Sequence, residues 1–148
     1  MVIAAILLGP SSGFALALRP ARAEIARVVS ATDTANLRYK KTVHKNGRAL
    51  LLEEGTARGT LPGNMTASLD VEGVFSGTFT LHLHDGTITG SGTAKPHGSG
   101  VYESFGGKLT VTGGTGRYRN AHGQAGLYGT FNRHSYALVV QTTGKLTY

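Results

Sequence analysis

The chain has 148 residues, the length of one domain, with 22 Gly and neither Cys nor Trp. Without Cys there are no disulfide staples, zinc–thiolate centres or cysteine nucleophile, so strand pairing and a packed core must hold the fold. Lys and Arg number 15 against 8 Asp and Glu, for a net charge of +7. These bases are scattered rather than striped, which argues for solubility or attraction to an anionic cell surface and against nucleic acid as a partner.

Residues 1–23 read as an export signal. Met1–Leu8 is apolar, Gly9-Pro10 interrupts it, Phe14–Leu18 is apolar again, and Ala21-Arg22-Ala23 is an A-x-A cleavage pattern. The apolar stretches are too short for a stable membrane span. Cleavage after Ala23 would remove Arg19 and Arg22, leave 13 bases against 8 acids, and send a protein of charge about +5 outside the cell. Residues 24–36 have a weak apolar pattern and are expected to be a flexible lead-in to a domain over 37–148.

From Leu37 onward strand signals follow one another with short connections. Leu37–His44 leads through Asn46-Gly47, a two-residue hairpin signal, into Arg48–Thr60. Pro62-Gly63-Asn64 turns the chain into Met65–Glu72, where Met65, Ala67, Leu69 and Val71 alternate with polar residues. Phe75–His84 is the cleanest strand, with Phe75, Phe79, Leu81 and Leu83 on one face and Ser76, Thr78, Thr80, His82 and His84 on the other. Asp85-Gly86 closes a hairpin into Thr87–Lys95, and Pro96–Gly100 forms a loop before Val101–Thr112. A glycine corner follows, then Ala121–Phe131, a turn at Asn132-Arg133, and a last strand over His134–Thr147. Eight strands with short links must pair antiparallel. Glycines within them, such as Gly77, Gly90, Gly107 and Gly129, supply the kinks that close a sheet, so an all-β, eight-stranded antiparallel barrel is expected.

The corner itself is distinctive. Gly113-Gly114-Thr115-Gly116-Arg117-Tyr118-Arg119-Asn120-Ala121-His122-Gly123 resembles the GGTG-x-F-x-x-A-x-G signature of plant dirigent proteins, with His122 where that pattern carries Arg. With Gln124 added, it is similar to the corresponding stretch of allene oxide cyclases. Asp85-Gly86-Thr87-Ile88-Thr89-Gly90-Ser91-Gly92 resembles a second dirigent segment, and the whole looks like a secreted actinobacterial protein of the allene oxide cyclase-like barrel group. The resemblance spans roughly Phe75 to Phe131. It implies a barrel with an apolar cavity, a homotrimer, and either binding of a small apolar or phenolic molecule or cofactor-independent cyclase or isomerase chemistry.

Several residues are candidates for that chemistry. Glu53 and Glu54 are adjacent and point to opposite faces of a strand, so one of them can enter the cavity as an acid of raised pKa, and Glu54 is the candidate carried forward. Arg117, Tyr118 and His122 at the corner are candidates for polarising an oxygen or moving a proton. Tyr102, Arg117, Tyr118 and Arg119 are expected to line the barrel mouth and bind ligand. His82 and His84, at i and i+2, have metal-ligand spacing, but His97 is the sole guess at a third ligand, so no metal is expected. No G-x-S-x-G elbow is present to support a serine hydrolase, and no cofactor is implied. A surface-interaction protein without ligand is the remaining alternative.

Overall fold

The computed structural model describes residues 25–148, and within them every strand pairs antiparallel with its sequence neighbour. The strands are β1 (Val28–Lys45), β2 (Arg48–Gly59), β3 (Gly63–Asp70), β4 (Phe75–Leu83), β5 (Gly86–His97), β6 (Tyr102–Gly114), β7 (His122–Asn132) and β8 (Leu138–Thr147). β8 pairs back onto the first half of β1, from Val28↔Thr147 to Leu37↔Leu138, and closes the barrel. The expected all-β, eight-stranded antiparallel barrel is therefore the observed fold. The signal assigned to residues 1–23 lies outside the described residues.

Strand ends differ from expectation in instructive ways. Val28–Asn36, expected as lead-in, is instead the first half of β1. Apart from Val29, its inward positions are small or polar (Ala31, Asp33, Ala35), so alternation in hydrophobicity is weak. The strand is fixed by its partner β8 rather than by its own pattern. His134–Ala137, expected in the last strand, is a loop in which Tyr136 takes φ 59°, a left-handed conformation that ends regular pairing. The glycine corner contains a 3-10 turn, Gly116–Tyr118, entered through Gly116 at φ 59°. Asn46-Gly47 forms the expected hairpin, with both residues at positive φ.

Period-two alternation puts one set of side chains inside. Phe75, Phe79 and Leu81 of β4 face inward, as do Leu51 of β2, Ile88 of β5, Phe105 of β6, Phe131 of β7, and Leu138 and Leu146 of β8. The outer face carries Thr, Ser, Lys and Arg, the inverse of a lipid-facing barrel. Among the described residues no helix is long and apolar enough to cross a membrane.

Tight curvature depends on inward positions without a side chain. A Cβ added to Gly129 would run into the Val139 carbonyl and the edge of the Phe105 ring. Gly129→Ala is therefore expected to cost about 3 kcal/mol or more, because neither the β8 backbone nor the packed Phe105 can give way. A chemical denaturation curve checks this.

Candidate functional site

The barrel has two different ends. One gathers the turns β1–β2, β3–β4, β5–β6 and β7–β8; the other gathers the 3-10 turn and both ends of the described chain. The lumen between them holds two apolar cavities of about 90 Å³ each. Met65, Phe79, Leu109 and Val140 line both and so form the layer that divides them. Such volumes are well below the ~300 Å³ floor of drug-sized ligand pockets.

The first cavity is closed by an aromatic layer. Phe75 meets Phe105 at 5.8 Å and Phe131 at 5.5 Å between ring centroids. Over this layer lies Arg133, with its guanidinium 5.8 Å from the Phe75 ring centre and 5.7 Å from that of Phe131. Arg133 donates to Glu103 at 2.7 Å, and the pair shuts this end of the lumen. The hydrogen bond from Arg133 holds the Glu103 carboxyl below its usual range and raises the guanidinium in turn. Stability from the pair is present above the ordinary carboxylate range and is lost as pH falls through the lowered Glu103 value. Arg133→Met is thus expected to destabilise most at neutral pH and least in acid, a difference that melting curves at the two pH values read directly.

Glu53 is the anomaly of the interior. It alternates with Leu51 and Ala57 on the inward face of β2, opposite Tyr39 of β1 and Ala67 of β3. Ala67 and Leu37, the latter two positions before Tyr39 on β1, line the first cavity. The Glu53 side chain is 2 % exposed, and neither carboxyl oxygen meets a hydrogen-bond partner among the described residues. Burial disfavours its charged form and pushes its pKa up to about 7. At neutral pH both the acid and its conjugate base are therefore present at Glu53, which lines neither lumen cavity but borders an open pocket of about 480 Å³ with Lys40 and Thr66, next to the Ala67 and Phe79 wall of the first cavity.

Glu54, the carboxylate carried forward from the sequence, lies on the outer face and accepts from Lys40 at 2.7 Å. The carboxyl that turns inward is its neighbour. The remaining candidates divide between the ends. Tyr118 is buried at the 3-10 turn, its ring 4.9 Å from that of Tyr148, and burial raises its phenol further than the neighbouring Tyr148 and Asp85 do. Arg117 lies over the Tyr148 ring and pairs with Asp85 at 3.3 Å. Nδ1–H of His122 donates to the Asn120 carbonyl at 2.9 Å. Arg117, Asn120 and His122 border an open groove of about 320 Å³ with Arg27 and Tyr148, and the exposed Arg119 is on the same turn.

Tyr102 does not join them. It sits 71 % exposed at the opposite end, because the 13-residue β6 separates it from the corner by roughly 40 Å at ~3.3 Å per residue. Tyr102 and the corner residues therefore cannot line one mouth. His82 and His84 are exposed, and no group of three metal-ligating side chains forms among the described residues. Comparison of the chain with protein-family models, with curated proteins and with solved structures finds no match.

Proposed function

We propose that this barrel binds a small apolar or phenolic molecule in its lumen, with Glu53 as a polar contact. The observation that carries the reading is a buried inward carboxyl, Glu53, without a protein partner in a largely apolar barrel, whereas the inward Asp33 carboxyl accepts from Leu61. A protonated Glu53 donates one hydrogen bond and accepts another, so a ligand with a single hydroxyl or carbonyl would satisfy it. A ring would be accommodated by displacing the side chains of Met65 and Phe79, which divide the two cavities. The likeness of the corner to dirigent and allene oxide cyclase sequences supports the same reading, and with it export and a homotrimer, which sedimentation of the purified protein would test.

A second reading follows from Glu53 itself. A carboxyl with pKa about 7 is matched to general acid–base work at neutral pH, which favours a cofactor-independent isomerase or cyclase over a passive carrier. The lumen would hold the substrate in one conformation while Glu53 relays a proton.

Native mass spectrometry of protein taken from the producing cells tests binding. The expected result is added mass that leaves as one neutral small molecule, and reduced occupancy in Glu53→Gln. Bare protein that also fails to take up a phenol added in excess would refute lumen binding. Turnover of a β,γ-unsaturated cyclic ketone to its conjugated isomer, abolished in Glu53→Gln, would select the enzyme over the carrier.

A further inference from the structure

We infer that the β1–β2 hairpin and the turns beside it form a docking surface for an anionic lipid bilayer. β8 stops pairing with β1 at Leu37, and β3 stops pairing with β2 at Leu51. Beyond those points the two strands pair only with each other, so Thr42–Leu50 is an arm that projects past the barrel rim. The register places Lys41 beside Leu52, Val43 beside Leu50, and Lys45 beside Arg48 on the outer face of this arm. That face is amphipathic: half-buried Val43, Leu50 and Leu52 are flanked by exposed Lys41, Lys45 and Arg48.

Charge complementarity selects the partner. Residues 34–52 contain five Lys and Arg and no acid. Glu54 neutralises Lys40 and Asp70 neutralises Arg48, while Arg38, Lys41 and Lys45 have no ion-pair partner among the described residues. Glu72 is the acid on the adjacent β3–β4 turn. A second, separate observation makes the partner a bilayer rather than a soluble polyanion. Exposed apolar side chains crown the other turns of the same end: Val74 is 55 % exposed, Val101 45 % and Tyr102 71 %. Cations beside aliphatic and Tyr tips match a headgroup layer, where Lys and Arg meet phosphate and Tyr sits at the boundary with the acyl chains.

Co-sedimentation of the full chain with sucrose-loaded vesicles tests the inference. Phosphatidylcholine vesicles are compared with vesicles in which about a third of the lipid is phosphatidylglycerol, and the readout is the ratio of the two partition coefficients. The ratio is expected to fall roughly thirtyfold in Lys41→Gln/Lys45→Gln, at about fivefold per surface charge. It is expected to fall with salt and to stay constant in Lys108→Gln/Lys145→Gln, which alters two exposed lysines on other strands. All variants share residues 1–24, so any contribution from that segment cancels. A ratio near one for the native chain would overturn the inference. So would an equal loss in both double variants, or binding to heparin with none to the anionic vesicles.

Discussion

Glu53→Leu is expected to stabilise the barrel by roughly 3 kcal/mol above neutral pH and much less in acid. The carboxyl is moved from 4.5 to about 7 by burial, and each unit corresponds to about 1.4 kcal/mol. Because the folded value lies above the unfolded one, the folded chain holds the extra proton. The stabilisation from that proton is complete below about 4.5 and is lost as pH rises through about 7. Native melting temperature should therefore fall across that window. Asp33, raised by burial against the lowering effect of its hydrogen bonds from Leu61 and Thr60, adds a slope of the same sign. Leu at position 53 removes the larger contribution and leaves that of Asp33. Gln removes the charge but leaves an amide without a partner, so its gain is smaller. The lowered Glu103 acts oppositely in acid, which places the stability maximum on the acidic side of neutrality. A native melting temperature that does not change between about pH 5 and 8 would contradict this.

Phe131→Ala is expected to destabilise by about 3–5 kcal/mol, the usual cost of removing a buried aromatic ring. Phe131 is 0 % exposed and touches Phe75 edge-on, stacks near Tyr136, and lies beneath Arg133. Removing the ring unseats three neighbours and opens the first cavity toward the Arg133–Glu103 end. The same variant should therefore take up a larger apolar probe than the native chain does, provided it is studied below its lowered melting temperature. Unchanged stability would mean that the aromatic layer does not close the lumen.

The fold was legible because hairpin chemistry and alternation agree with each other from Arg48 to Phe131. Asn46-Gly47 sets a two-residue turn, and Phe75, Phe79 and Leu81 alternate with threonines. Val28–Asn36 was not legible as strand, because Ala31, Asp33 and Ala35 give little amplitude and the pairing with β8 is more than a hundred residues away in sequence. The site was half legible. Leu50, Leu51 and Leu52 are apolar on both faces and conceal the parity of the strand. Thr56 and Arg58, alternating with Gly55 and Ala57, carry the missing signal, since extending their parity backward puts Glu54 outside and Glu53 inside. The expected cluster of Tyr102 with Arg117, Tyr118, Arg119 and His122 failed on length: β6 keeps its ends apart. The Arg133–Glu103 closure joins residues 30 apart in sequence, and no local pattern announces it.

The most direct test is a carbon-detected NMR titration of the glutamate carboxyls, with and without a saturating phenol. One carboxyl is expected to titrate near 7, to vanish in Glu53→Gln, and to move when the phenol binds beside it. Glutamates that all titrate in the ordinary carboxylate range, untouched by the phenol, would contradict a buried polar contact in the lumen and the function built on it.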